Sequence, residues 1–372
     1  MGKHLVLVGG GHAHLTALRE LREFTGGGHG VTVVSPEPYQ YYSGMGPGML
    51  GGTYRPREIR FNVERMARER GGVFVRDRVV GLDPGARRLS LASGKALEYD
   101  VASFSIGSSV PRESLDLAGP AYTVKPIANL LRAREEVLGA SCPLEAVVAG
   151  GGPAGAEVAG NLAELLREAG RMGFVTLVAG GELMGGYPGR VRSLIRKGLS
   201  RKGVRISQRR RVVAVEQGAV RLSDGSKLGA GLVLLALGVR PPSLFRDSGL
   251  PAGPDGGLLV NHHLQCVAHP EIFGGGDCIS LEGEGLAKVG VYAVRENPVL
   301  FHNLKAALSG RALMRFNPGG SYLLVFNLGG GTGVLNKGPV TLNGRVAFRI
   351  KDYIDRRFMR RFQVSGETEE AE

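Results

Sequence analysis

The chain of 372 residues has no tryptophan, three cysteines and 6% aromatic residues, and each scarcity removes a class of function. Without Trp, and without aromatics interleaved among its basic residues, it offers no stacking platform for single-stranded nucleic acid, so nucleic acid is not expected as a partner. Cys142, Cys266 and Cys278 are odd in number and widely spaced. That argues against a disulfide framework or a zinc site, and no metal is expected. No apolar run approaches the roughly 20 residues that span a bilayer. The longest, Leu232 to Leu237, has the length of a strand. Lys3 and His4 lead straight into a strand pattern with no signal peptide, and a cytoplasmic protein is expected.

Glycine and positive charge are abundant. Sixty glycines without a short period fit tight turns and phosphate-facing loops. The net charge of +13 is unevenly placed, with ten Lys or Arg and no acid from Arg190 to Arg211. A solvated helix face and attraction to anionic lipid both account for that run.

Two glycine turns each close a short apolar run and open an apolar-periodic helix. The first follows Leu5 to Val8 and reads Gly9-Gly10-Gly11-His12-Ala13-His14; the second follows Ala146 to Ala149 and reads Gly150-Gly151-Gly152-Pro153-Ala154-Gly155. In a dinucleotide fingerprint the first glycine makes the turn, the second admits the pyrophosphate and the third lets helix and strand pack closely. The second copy is complete. The first has His14 where the third glycine belongs, so its side chain is expected to splay helix from strand or to point outward. His12 and His14 read as helix-start residues facing solvent or a ligand phosphate. Two such turns in one chain imply two dinucleotides with electrons passing between them.

At the strand ends, where an acid normally meets the adenosine ribose, stand Ser35 and Ala179, with Glu37 and Glu182 two and three residues further on. Ribose recognition is therefore atypical, NADH and NADPH both stay open, and Arg190 or Arg192 are candidates for a 2′-phosphate.

The expected fold is α/β, with two Rossmann-like (FAD/NAD(P)-binding) domains, the second inserted in the first, plus a small C-terminal segment. The boundaries are 1–118 with 248–312, 119–247, and 313–372. The last segment carries a basic amphipathic helix and an acidic tail, Glu367 to Glu372, expected to be disordered. Ile350, Ile354, Phe358 and Phe362 recur every four residues with basic residues on the other faces. Docking on an anionic membrane surface, packing on the body and a homodimer contact all remain open for that stripe.

Four segments carry a family resemblance: Tyr42-Ser43-Gly44-Met45-Gly46-Pro47-Gly48, Lys125-Pro126-Ile127, Lys288-Val289-Gly290-Val291-Tyr292-Ala293-Val294-Arg295 and Lys351-Asp352-Tyr353-Ile354-Asp355-Arg356-Arg357-Phe358-Met359. The chain resembles the two-dinucleotide-domain flavoproteins that include type II NADH dehydrogenases and sulfide:quinone oxidoreductases. Within them it looks closest to the FAD-dependent branch found fused to selenide, water dikinase. The resemblance implies FAD on the first turn, with Gly9, Gly11, His12 and Ala13 at the pyrophosphate, Ser35 near the adenosine ribose and Val80 near adenine. Gly107 would lie beside the phosphates, and Gly276 with Asp277 at the ribityl and pyrophosphate region. Pro47 and the Lys288-Val289-Gly290 step would flank the isoalloxazine. There Lys288 either stabilises reduced flavin or is a surface lysine at a helix start.

NAD(P)H would occupy the second turn, through Gly150, Gly152, Pro153, Ala154, Gly155 and Gly238. Glu157 either orients the nicotinamide or simply satisfies a helix start. Tyr292 and Arg295 would face a quinone-like acceptor. Residues 40–60 and Gly150 to Asn161 contain no Cys, which leaves disulfide and sulfide chemistry without thiols there; Cys278 reads as a buried structural thiol. The expectation is an FAD-dependent NAD(P)H:quinone-type oxidoreductase. A flavoprotein oxidising a sulfur or selenium species, and a flavin-bound partner protein without turnover, are the alternatives.

Overall fold

The computed structural model describes residues 2–113, 115–140 and 143–370. Cys142 and the last two residues of the acidic tail lie outside them. Two five-stranded parallel sheets organise the chain. In chain order their strands are β1 (His4–Val8), β2 (Gly30–Ser35), β3 (Val73–Arg76), β4 (Val101–Phe104) and β5 (Tyr122–Thr123). They continue with β6 (Leu144–Ala149), β7 (Gly173–Ala179), β8 (Arg205–Gln208), β9 (Leu232–Leu235) and β10 (Ile272–Gly274). The first sheet has the order β10-β4-β1-β2-β3, the second β5-β9-β6-β7-β8.

In each sheet the central strand is followed by a glycine turn and a crossover to its neighbour. Val8 therefore stands opposite both Val34 and Phe104, and Ala149 opposite both Val178 and Leu235. The strand order reverses at these edges, which opens a crevice where open α/β sheets take ligands. The apolar runs Leu5 to Val8 and Ala146 to Ala149 are buried, as expected of parallel strands covered on both faces.

The helices that position the site are α1 (Leu15–Arg19), α2 (Gly46–Leu50), α3 (Pro153–Glu168), α4 (Gly189–Arg201), α5 (Gly290–Ser309) and α6 (Arg345–Phe362). Helix α3 starts with Gly152 as N-cap and Pro153 in its first turn, where a missing N–H costs nothing. It buries Val158, Leu162, Leu165 and Leu166 as their spacing predicts. The stripe Leu15, Leu18, Leu21 and Phe24 is buried too, although the helix breaks after Arg19 and resumes over Arg22–Thr25. Strand β4 ends at Phe104, before the chain turns through Gly107 at φ +70°.

The C-terminal segment departs most from expectation. It holds a three-stranded antiparallel sheet, β11 (Leu324–Gly329), β12 (Thr332–Lys337) and β13 (Val340–Gly344), before α6. The buried face of α6 is Ala347, Lys351, Asp355, Met359 and Phe362, rotated from the apolar stripe, and Ile354 is exposed. A Lys–Asp pair one turn apart neutralises itself, so this face can be buried despite its charges. Over its described residues the acidic tail is ordered, with Glu370 bonding Arg60 at 2.8 Å and Asn62 at 2.7 Å. Glu367 accepts from the backbone N–H groups of Asn62 and Ser365.

Candidate active site

The first turn is built by close backbone approach. Gly9 has φ +85° and donates to Val34 O at 2.8 Å, and Gly11 donates to Ser105 O at 3.0 Å. A Cβ at Gly11 would lie 2.4 Å from that oxygen. His14 neither splays the helix nor points outward: it is 0% exposed, with Nδ1 2.7 Å from Gly9 O and Nε2 2.8 Å from Ser103 Oγ. A carbonyl only accepts, so Nδ1 carries the proton and Nε2 accepts from the serine. Burial drives the ring down to about 4 against the raising effect of the Gly9 bond, so it is neutral. His14 thus ties turn, helix and strand together by hydrogen bonds where the third glycine would do so by contact.

His12 is different. Its Nε2 is buried without a hydrogen-bond partner, and the ring lies edge-on to Tyr42 with centroids 5.2 Å apart. Burial lowers it to about 4, with Asp277 raising and Lys125 lowering it further. A neutral, unpartnered ring nitrogen at a phosphate turn fits a polar ligand that completes its bond. Gly107 leaves open space where a Cβ would project, which suits a group lying against the backbone. Ala13 is buried beneath Gly275, Ser35 is buried with its hydroxyl donating to Glu37 O, and Val80 lies 53% exposed on the neighbouring strand Val79–Asp83.

Asp277 anchors the crevice from the β10 side. It accepts from Lys125 Nζ at 2.6 Å and Ser108 Oγ at 2.8 Å, and the lysine also reaches that hydroxyl at 2.9 Å. Burial alone would raise this carboxyl, but Lys125 and Ser108 outweigh it and hold it below the usual range. Sequence reasoning gave Lys125 no role. It lies 152 residues from Asp277, and membership of a matched segment was the only signal.

Gly276, Asp277, Lys288, Val289 and Tyr292 line one cleft of about 520 Å³, together with Glu296. Glu296 accepts from Gly276 N–H and is pushed up to about 7 by burial. Val289 caps α5 and Gly290 begins it. Lys288 is not a free surface lysine: it pairs with Asp255 at 2.6 Å and donates to Ile279 O.

The second turn is tighter. Gly150 has φ +131° and a Cβ there would lie 2.1 Å from Ala236 O; one at Gly155 would lie 1.8 Å from Gly150 O. Gly152 and Ala154 stand clear at the helix start, and Gly238, at φ +82°, faces open space.

Between the two turns lies a junction. Helix α2, with Pro47 buried in it, packs on α3, so that a Cβ at Gly51 would meet Asn161 Oδ1 at 2.6 Å. Glu157 on α3 accepts from Asn327 N at 2.7 Å. Burial pushes it up to about 7 against the opposing charge of Lys351 and the Asn327 bond. Lys351 pairs with Asp355 at 2.6 Å and donates to Gly44 O at 2.7 Å, and Tyr42 donates to Asp355 Oδ1 at 3.1 Å. Phe358 stacks on Tyr42 at 4.8 Å. At this junction Tyr42, Asn327, Lys351 and Asp355, like Lys125, are residues to which sequence reasoning assigned no role, although two of the matched segments contain three of these four. Tyr292 contacts Tyr322 edge-on at 5.6 Å, and Arg295 donates to the Pro318 and Gly320 carbonyls.

Comparison with known proteins agrees with this architecture. The chain is similar to ferroptosis suppressor protein 1 of Taeniopygia guttata, 26% identical over 285 residues that cover 72% of each chain. It is 28% identical to demethylphylloquinone reductase NdbB of Synechocystis over 209 residues, 53% of this chain and 51% of the relative. Its fold matches that of NDH2 from Plasmodium falciparum, solved in complex with NADH, with a TM-score of 0.79 at 15% identity over 99% of this chain and 98% of the other. Residues 3–300 match the model of the pyridine nucleotide-disulphide oxidoreductase family, and the chain belongs to that family.

Proposed function

We propose that the protein passes electrons from NAD(P)H, through FAD held by the unit 1–118 with 248–312, to a quinone-type acceptor. The unit 119–247 holds the nicotinamide dinucleotide. The junction carries this reading: Glu157, beside the second turn, shares one buried cluster with the Tyr42-to-Pro47 loop of the first unit. Bound FAD supplies two-electron redox chemistry. Gly9, Gly11, His12 and Ala13 hold its pyrophosphate, Gly107, Gly276 and Asp277 its phosphate and ribityl region, and Ser35 and Val80 its adenosine end. Gly150, Gly152, Pro153, Ala154, Gly155 and Gly238 hold the nicotinamide dinucleotide, and Glu157 orients its reactive end. Pro47, Val289 and Gly290 bound the ring site. Lys288 sets its charge through the pair with Asp255, and Tyr292 borders the acceptor.

Names of similar proteins support the acceptor class, since NdbB is a demethylphylloquinone reductase. Among the described residues, the two cysteines disfavour a thiol-based reaction. Cys278 is fully buried, its thiol pushed up to about 12 by burial, and Cys266 is buried as well. Among the described residues no helix is long and apolar enough to cross a membrane. The outer face of α6 exposes Val346 and Tyr353, at 59% and 61%, and Ile354 beside Arg345, Arg349 and Arg357. That face suits peripheral attachment to an anionic, cytoplasmic membrane surface, where a quinone would be met.

Purified protein should be yellow. NADH or NADPH should bleach it anaerobically, and a water-soluble short-chain quinone should restore the colour. Bound flavin that neither nucleotide reduces would overturn the donor assignment.

A further inference from the structure

We propose that the second site selects NADPH, and that Arg211 is the residue that reads its 2′-phosphate. This rests on the nicotinamide dinucleotide lying on the second turn. A cleft of about 490 Å³ opens beside that turn, bordered by Gly150, Val178, Gly180, Arg211, Arg240 and Glu113.

Three observations converge there. First, the strand that should deliver a ribose-binding acid ends at Ala179, fully buried and packed where a Cβ on Gly151 would lie 2.5 Å away. No carboxylate at the strand end accepts from the 2′-hydroxyl, and none repels a phosphate. Second, the nearest acid in sequence is already engaged: Glu182 pairs with Arg192 and, at 3.7 Å, with Arg209. Arg192, a candidate from the sequence, is thereby committed to Glu182, while Arg190 is exposed at the start of α4 and does not border the cleft. Third, Arg211 lies across the vacated position. A Cβ on Gly180 would meet its Cγ at 2.6 Å and its Cδ at 3.2 Å, so the bare glycine is what lets the arginine stem cross the strand end.

The backbone that carries Arg211 is pinned. Arg211 N–H donates to Ser223 Oγ at 3.1 Å, Ser223 N–H returns a bond to Arg211 O at 2.8 Å, and Arg210 N–H reaches Ala179 O at 3.3 Å. Arg210 itself pairs with Asp224. Among the described residues no ion pair joins the guanidinium of Arg211 or of Arg240 to an acid, Glu113 included. Positioned, uncommitted and always charged, Arg211 presents the planar fork that matches a phosphate. Arg240 adds a second cation to the lining of the cleft.

The test uses the full flavin-loaded chain and two probes that differ only in the group concerned, 2′,5′-ADP and 5′-AMP, with binding measured by calorimetry at fixed ionic strength. Wild type should bind 2′,5′-ADP about 10- to 100-fold more tightly than 5′-AMP, the range a charge-assisted phosphate contact gives. Arg211→Ala should collapse that ratio toward one and Arg211→Lys should retain part of it, while circular dichroism and bound flavin report that the variants are folded. Equal affinity for the two probes in wild type, or a ratio unchanged in Arg211→Ala, would overturn the inference. Anaerobic flavin reduction by NADPH and NADH is run alongside. If neither nucleotide reduces the flavin while the probe ratio holds, the donor reading fails and this assignment stands.

Discussion

At the scale of single residues, the site depends on polar groups buried in states they would not hold in water. Glu157 is the clearest case, moved from 4.5 to about 7 chiefly by burial. The folded value lies above the unfolded one. Between those limits the unfolded chain has released the proton that the native protein still holds, so native stability falls as pH rises through that window. The slope has an upper bound of about 1.4 kcal/mol per pH unit. Glu157→Gln removes this titration while keeping an oxygen to accept from Asn327 N–H. Denaturant unfolding at about pH 5 and about pH 7.5 should show the variant gaining stability relative to wild type as pH rises; a difference that does not move with pH would refute the assignment. Glu296, also pushed up to about 7, is present in both proteins and cancels. Residues of this kind divide sharply in how far the sequence reveals them. The tight turns at Gly9, Gly11, Gly150 and Gly155 were legible because close backbone approach is a local demand on consecutive residues. Lys125, Tyr42 and Lys351 were not assigned, because their partners Asp277, Asp355 and Gly44 stand far away along the chain or out of register with any short motif. His14 was misjudged for a related reason: Ser103, the acceptor's counterpart that makes its burial acceptable, lies 89 residues on.

At the scale of elements, strands followed from continuous apolar runs where both faces are covered, as in β1 and β6, and helices from apolar periodicity where one face meets the core, as in α3. The exception is α6, whose buried face is rotated from its periodic apolar stripe and shares only Phe362 with it. Periodicity reports hydrophobic side chains, and it cannot register that Lys351 and Asp355 enter the interior as a neutralised pair, 8% and 4% exposed. The β11–β13 sheet carries no such signal, because Asn and Gly interrupt its apolar residues and β13 is largely exposed. The buried pair yields a prediction specific to this helix. Lys351→Met alone leaves Asp355 buried with only Tyr42 to satisfy it, and should cost about 3–5 kcal/mol, as breaking a buried pair does. Adding Asp355→Leu should recover most of that loss, because two apolar side chains of similar size need no desolvation penalty. Urea unfolding of the two single variants and the double variant checks this. A double variant no more stable than Lys351→Met would mean that the helix docks by some other contact.

At the scale of the whole molecule, the C-terminal segment behaves as a strap across two nucleotide-binding units. Its sheet leans on the second: a Cβ at Gly160 would meet Leu328 O at 2.5 Å, and Asn161 Nδ2 donates to Asn327 O at 3.0 Å. Its helix and tail return to the first through Tyr42 to Asp355, Arg356 to Glu58 at 2.9 Å, Gln363 to the Arg57 and Arg60 carbonyls, and Glu370 to Arg60. Most of these are partly exposed polar contacts, each modest alone, but they are made by one continuous stretch of chain and so act together. Each unit has its own parallel sheet and core, and without the strap the links between them are the packing of α2 on α3 and a few polar contacts, among them Lys125 to Asp277 and Arg134 to Leu50 O. The full chain should therefore unfold in one calorimetric transition, and saturating FAD should raise the whole of it, by about 2.7 kcal/mol at a hundredfold excess over the dissociation constant. A chain ending at Gly320 should unfold in two steps, of which only the one belonging to the first unit responds to FAD. A full-length protein that already melts in two steps, with FAD moving only one of them, would show that the strap does not couple the units, and the junction that holds Glu157 beside the Tyr42-to-Pro47 loop would then have to be maintained by α2, α3 and the polar contacts of Lys125 and Arg134.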